Sequence, residues 1–242
     1  MSCYETLAEY YDRLTADVDY RSFADRYESA FVADGGTFHL LLDLCCGTGS
    51  LTLEMSRRGY ELISVDASEQ MLMEAREKCE NLPVLPLFLL QDVADLDLYG
   101  TVDAAFCSLE GINYLSPAQL EALLQRLPFF VRPGGLFLFD LRAPDYLESL
   151  NGDTFVDEDD DVLCLWRADF DTDLGALVYG MDIFSREGSL WRRSREEHIE
   201  YAHRTQQLSE LFAAHGFTDF TVEEAEDRLF VSCRRCTSSA PA

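Results

Sequence analysis

The sequence predicts an α/β fold, a doubly wound, mostly parallel sheet carrying an antiparallel β insert. Three observations carry this. Residues 38 to 141 alternate short apolar runs with stretches of helical spacing. Connections that short favour parallel strands joined by right-handed crossovers. Beyond Leu150 the pattern changes to strand-like runs separated by the hairpin signals Thr172-Asp173-Leu174-Gly175 and Arg186-Glu187-Gly188-Ser189.

The elements follow in order. Residues 1–33 read as helical, with Ala8, Tyr11 and Leu14 and then Phe23, Tyr27 and Ala30 at helical spacing, interrupted near Thr15 to Tyr20. Gly35-Gly36 ends that region. The first strand is Phe38 to Leu44, an apolar run suited to burial on both faces. A glycine turn and a helix follow, the helix stopping near Arg57-Arg58-Gly59 with cations in its last turn. The second strand is Tyr60 to Val65, ending on Asp66. The next helix is capped by Ser68, with Met71, Leu72 and Ala75 inward. Leu87 to Leu90 is the third strand, Asp95-Leu96-Asp97 a loop, and Val102 to Ser108 the fourth strand. Ser116-Pro117 opens a helix through Leu127, serine as cap and proline at the first helical position. Arg132-Pro133-Gly134-Gly135 turns into a fifth strand, Leu136 to Leu141.

In the insert, Asp157 to Asp161 reads as a solvated acidic turn. Val162 to Phe170, Ala176 to Phe184 and Leu190 to Tyr201 form a meander. A helix over Gln206 to His215 stops at Gly216. Two strands, Phe217 to Val222 and Arg228 to Cys233, complete a seven-stranded sheet. The domain plan is an N-terminal helical lid (1–36), a core (37–149 and 206–242) and an insert (150–205) expected to cap the substrate.

Composition narrows the function. A net charge of −26 with 19 Lys and Arg leaves little from which to build a basic patch, so no nucleic-acid partner is expected. No run of about 18 apolar residues exists to span a membrane, and the first residues lack a leader pattern, so a cytoplasmic location is expected. The 8 cysteines form no disulfide framework, which fits a reducing compartment. Cys233 and Cys236 make a lone C-x-x-C read as structural, and no metal site is expected.

Four features fall at the carboxyl ends of consecutive strands, where open parallel sheets bind ligands. They are the turn Cys45-Cys46-Gly47-Thr48-Gly49, then Asp66, then Asp92, then Ser108. Strand, glycine turn and helix N-terminus together present backbone N–H groups. Asp66 lies 19 residues past Gly47, the spacing of an acid that accepts ribose hydroxyls. Asp92 suits an exocyclic amino group such as adenine's. The set points to an adenosine-containing ligand. A dinucleotide fingerprint requires a third glycine or alanine where Thr52 stands. Asp43 would repel a pyrophosphate but could hold an ammonium.

Asp43-Leu44-Cys45-Cys46-Gly47-Thr48-Gly49 resembles the D/E-x-G-x-G-x-G signature of class I S-adenosylmethionine-dependent methyltransferases, with Cys45 standing where the first glycine usually is. Val65 to Leu72 is similar to that family's acidic second motif, Gln91-Asp92-Val93 to its adenine-contact segment, and Arg132 to Gly135 to the turn before strand five. The nearest likeness is to small-molecule enzymes with an N-terminal Tyr-Asp segment and an antiparallel insert. The resemblance implies a Rossmann-like methyltransferase fold with S-adenosyl-L-methionine as cofactor. It implies that Asp43 and the Cys45–Gly49 backbone hold the methionine moiety, Asp66 the ribose, and Asp92 with Val93 the adenine, with Ala67 also at the cofactor. Met71 would pack on the adenosine, Ser108 would line the polar mouth, and Tyr10 or Tyr11 would cover the sulfonium side.

Methyl transfer from sulfur needs an in-line nucleophile in a dry site, so positioning carries most of the catalysis. A base matters only if the nucleophile loses a proton. The candidates are Glu110, His198 and His203. The two histidines, read as lying on one strand five residues apart, would face opposite sides of the sheet. The expected partner is a small-molecule methyl acceptor, with oligomerisation possible through the insert. The alternatives are an NAD(P)-dependent oxidoreductase and a non-catalytic adenosyl-ligand-binding regulatory protein.

Overall fold

The computed structural model describes Tyr4 and residues 7–237. Its core is a seven-stranded sheet built from β1 (Leu40–Leu44), β2 (Glu61–Asp66), β3 (Leu87–Leu90), β4 (Val102–Cys107), β5 (Val131–Arg142), β10 (Phe217–Ala225) and β11 (Arg228–Arg235). The strand order is β10-β11-β5-β4-β1-β2-β3. Strands β1 to β5 pair in parallel, and β11 pairs antiparallel with both β5 and β10. The chain enters at β1, runs outward through β2 and β3, then returns to β4 on the other side of β1. That reversal opens a crevice at the strands' carboxyl ends.

Helices cover both faces. On one, α5 (Pro117–Phe130) and α7 (Thr205–Ala214) bury Leu120, Leu123, Leu124, Leu208 and Phe212 against β4, β5 and β11. Phe212 lies 5.2 Å from Phe139 and 5.9 Å from Phe137, ring to ring. On the other, α2 (Tyr20–Asp34) and α3 (Ser50–Arg57) bury Tyr27, Phe31, Leu51 and Met55 over β1, β4 and β5. Local chemistry fixes the ends. Ser116 and Gln119 form a capping box ahead of Pro117. Asp19 caps α2, and Gly35 closes it with φ +71°. The buried strands contain few charges because neither face meets water.

The insert is a separate antiparallel sheet, ordered β6 (Thr154–Asp159), β7 (Val162–Asp171), β8 (Ala176–Glu187) and β9 (Leu190–Tyr201). Its inner face packs on the N-terminal segment, with Leu7 and Tyr10 against Val162, Cys164, Met181 and Ile183. This segment includes α1 (Ala8–Leu14), which also touches α4 (Glu69–Cys79).

Some elements differ from the sequence reading. The acidic run is mostly a strand: Asp157, Glu158 and Asp159 pair with Cys164, Leu163 and Val162, leaving only Asp160-Asp161 as the turn. Side-chain charge does not prevent backbone pairing at a sheet edge. Arg132 to Gly135 belongs to β5, across a register shift. Gly135 is needed there because a Cβ would lie 2.5 Å from the Asp103 carbonyl oxygen. Val93–Asp95 forms a 3-10 turn in the expected loop, and a short helix α6 (Pro144–Ser149) follows β5. α5 runs past Leu127 to Phe130 with Pro128 inside it. Among the described residues, no helix is long and apolar enough to cross a membrane.

Candidate active site

A cleft of about 470 Å³ opens at the carboxyl ends of β1, β2 and β4. Its floor is the turn after β1. Cys45, Gly47 and Gly49 take φ of +56°, +53° and +72°. Glycine accepts this left-handed region freely, whereas Cys45 adopts it as an L residue at a cost of about 1 kcal/mol. Its thiol neighbours that of Cys107, beneath Gly111.

Two carboxylates fix the turn. Asp66 accepts from the Gly47 amide at 2.8 Å and from the Ser68 amide at 2.8 Å, tying the ends of β1 and β2 together. Burial raises its pKa despite those donors. Asp43 is buried at the base, where Thr52 Oγ1 donates to it at 2.5 Å. Desolvation pushes Asp43 up to about 7, with Thr52 opposing.

The N-terminal segment latches onto the same turn. Asp12 Oδ1 accepts from Thr48 Oγ1 at 2.6 Å, and Lys78 Nζ lies 2.5 Å from Asp12 Oδ2. Lys78 also donates to Ser50 Oγ at 2.6 Å. Thus the Tyr10-Tyr11-Asp12 cluster divides its work: Asp12 is the latch, Tyr11 lines the cleft, and Tyr10 is buried under the insert.

Of the residues expected at the cofactor, Tyr11, Asp43, Cys45, Gly47, Asp66, Ala67, Met71, Asp92, Val93 and Ser108 line the cleft. Asp92 also caps the 3-10 turn, accepting from the Ala94 amide at 2.9 Å. Ser108 shares a 2.5 Å hydrogen bond with the Tyr27 hydroxyl. Gly49 does not line the wall; a Cβ there would lie 2.8 Å from Ala75 Cβ, so its smallness serves the packing of α3 on α4.

The three candidate bases lie outside the lining. Glu110 stands at φ +53° and pairs with Arg228, which also holds Asp140. Its charge is engaged there instead of facing a nucleophile. His198 is buried, with Nε2 3.1 Å from Glu196 Oε2. His203 lies beyond the end of β9, so the two histidines do not share a strand. Its Nε2–H donates to the Leu115 carbonyl at 2.9 Å, and burial lowers its pKa.

Sequence reasoning missed the other side of the cleft. Tyr4, Tyr20 and Tyr114 line it beside Tyr11. Glu196, His198 and Glu200 share the inner face of β9 and are buried. Their period of two was visible, but alternating charge on a strand normally marks the wet face. Glu196 accepts from the Tyr4 amide at 3.0 Å and the Leu7 amide at 3.1 Å, fastening the N-terminal segment to the insert.

No arginine or lysine lines the cleft among the described residues, while three aspartates do. Such a wall suits a hydroxyl-rich, cationic ligand and opposes a pyrophosphate, against the dinucleotide alternative. Comparison with known proteins agrees. A methyltransferase-domain profile matches residues 41–135. The chain is 27% identical over 244 residues to the putative methyltransferase YqeM of Bacillus subtilis, covering 96% of this chain and 97% of that protein. It superposes on an S-adenosylmethionine-dependent methyltransferase from Clostridium acetobutylicum with TM-score 0.83 and 26% identity, covering 97% and 100% of the two chains. The fold is also that of the sugar N-methyltransferase KedS8 from Streptoalloteichus, with TM-score 0.78, 21% identity and 97% of each chain covered. The carboxylate-flanked turn, the crevice beside β1 and the full-length likeness agree: the chain carries a methyltransferase domain and has the fold of the class I S-adenosylmethionine-dependent methyltransferases, whose cosubstrate is S-adenosylmethionine.

Proposed function

We propose that the protein methylates a nitrogen of a small-molecule acceptor by in-line displacement within this cleft. One observation carries the reading: the cleft joins a turn with a buried carboxylate at its base to a wall of four tyrosines, Tyr4, Tyr11, Tyr20 and Tyr114. The first half suits the cosubstrate and the second a compact acceptor. The N-methyltransferase KedS8 shares the whole architecture, which supports nitrogen as the acceptor atom.

In this reading Asp43 holds the methionine ammonium, and the Cys45–Gly47 backbone supports its carboxylate side. Asp66 takes the ribose hydroxyls. Asp92 and Val93 border the adenine, with Met71 packed on the adenosine. Bound S-adenosylmethionine supplies an electrophilic methyl: the acceptor lone pair forms the new bond to carbon while the carbon–sulfur pair leaves with sulfur. The chain's own part is positioning and exclusion of water, done by Tyr11, Tyr4 and Tyr114. An amine needs a base only to shed the proton it carries near neutral pH, because its neutral form has its own lone pair.

The test has two arms. Calorimetry should show S-adenosylmethionine and S-adenosylhomocysteine binding, and NAD not binding. Labelled methyl transfer should then be detected with amines in preference to phenols and carboxylic acids. Binding without turnover on any class would favour a regulatory protein, and turnover on acids alone would remove nitrogen as the acceptor.

A further inference from the structure

The inner face of β9 carries a buried carboxylate with an unpartnered oxygen. Glu200 is 7% exposed, and its Oε2 has no hydrogen-bond partner among the described residues. A buried charge left unpaired is costly, so such a group is retained where something else needs it. Its two neighbours on the same face are engaged, since Glu196 holds backbone amides and His198 bonds Glu196.

The surroundings of Glu200 lead to the cleft. Asn113 Nδ2 donates to the Tyr201 carbonyl at 2.8 Å, which pins the residue beside Tyr114 to the residue beside Glu200. Tyr114 and Tyr4 both line the cleft, with ring centroids 5.8 Å apart. The His198 ring meets them edge-on, at 6.0 Å and 4.5 Å. Glu200 stands outside the lining, but its charge acts on both tyrosines; two aromatic rings with a desolvated carboxylate near them form an arrangement that attracts a cation.

We propose that Tyr4, Tyr114 and Glu200 form the subsite for the acceptor's amine, the rings giving cation–π faces and Glu200 the counter-charge and proton acceptor. This rests on the nitrogen-acceptor reading above and names the residues that serve it. The bound ammonium has no lone pair, so it first gives one proton to the Glu200 carboxylate; the neutral nitrogen then takes the methyl as the carbon–sulfur pair leaves with sulfur. Burial and the charge of Glu110 raise Glu200 to about 8, near enough to an amine to exchange a proton with it. The other charged or titratable groups around it are Arg142 on β5, Arg228 on β11, Tyr179 on β8, and Tyr4 and Tyr114 themselves. The two arginines partly oppose the rise.

The test uses the full chain saturated with S-adenosylhomocysteine and three probes of one size: n-butylammonium, n-butanol and butyrate. Calorimetry should show n-butylammonium binding at least tenfold more tightly than the other two. Glu200→Gln should remove that tenfold preference while S-adenosylhomocysteine affinity stays within twofold. Wild-type affinity for n-butylammonium should also rise at least threefold between pH 7 and pH 8.5, as the carboxyl ionises while an aliphatic ammonium keeps its proton. That measurement needs no variant to fold. Equal binding of the three probes, an unchanged preference in Glu200→Gln, or a flat pH response overturns the subsite. Failure to bind S-adenosylhomocysteine instead overturns the cofactor assignment and is read separately, before any probe is added.

Discussion

The two walls of the cleft are built on opposite plans. On the sheet side, the polar groups are paired before any ligand arrives: Asp66 by two backbone amides, Asp43 by Thr52, Asp92 by the Ala94 amide. On the insert side, behind the tyrosines that line the cleft, buried polar atoms stand without partners among the described residues, Glu200 Oε2 and His198 Nδ1 on β9 and Trp166 Nε1 on β7. The sheet side is a rigid cradle whose geometry comes from strand ends and one tight turn. The insert side is a folded-over strand face whose polar groups meet aromatic rings from distant parts of the chain. A paired wall recognises a fixed ligand, and an unpaired one leaves its strongest interactions to the variable partner.

The comparison can be broken at several points. Gly49→Ala should have the largest effect, because the new Cβ meets Ala75 backbone and side chain at a left-handed φ. Strain plus overpacking should cost about 2–4 kcal/mol of stability, read by urea unfolding. Glu196→Ala should cost about 2 kcal/mol, by stranding the amides of Tyr4 and Leu7. Faster hydrogen exchange over Ala8–Leu14 should accompany it, with cofactor affinity nearly unchanged. If cofactor binding collapses as well, the walls are not independent.

Asp66→Ala should weaken S-adenosylmethionine binding at least tenfold, about 1.4 kcal/mol, in calorimetry. Unchanged affinity would remove Asp66 from the site. The pH dependence of stability separates the walls further. Asp43, Asp140 and Glu200 are raised to about 7, 6 and 8. A raised carboxyl lends stability that is fully present below its unfolded pKa, near 4, and is lost as pH climbs through its folded pKa. The melting temperature should therefore be higher at pH 5.5 than at pH 8.5. Asp43→Asn should flatten the decline around pH 7, and Glu200→Gln the part around pH 8. The smallest change is expected from Cys45→Gly. Relief at φ +56° offsets lost packing against Cys107. Stability should move by less than about 1 kcal/mol and cofactor affinity by less than about threefold.

Much of the sheet side is legible in the sequence because its signals are local. A run of leucines, a carboxylate and two glycines within ten residues define strand, turn and helix together, and Asp66 and Asp92 close their strands by position alone. Gly49 shows the limit. The motif marks it as a small residue, but only packing tells that it faces Ala75 and not the cleft. Glu110 shows the same limit. It looks free in sequence, yet Arg228, 118 residues away, pairs with it.

The sequence by itself determined the alternation that makes a parallel sheet, the carboxylates at its strand ends and the hairpins of the insert, since these depend on periodicity and on neighbours a few residues apart. Only the tertiary structure decided which face of β9 is buried. Alternation says that Glu196, His198 and Glu200 share a face but not which medium that face meets. Packing of the N-terminal segment against the insert made it the inside, and so turned a run that reads as solvent-facing into a buried one.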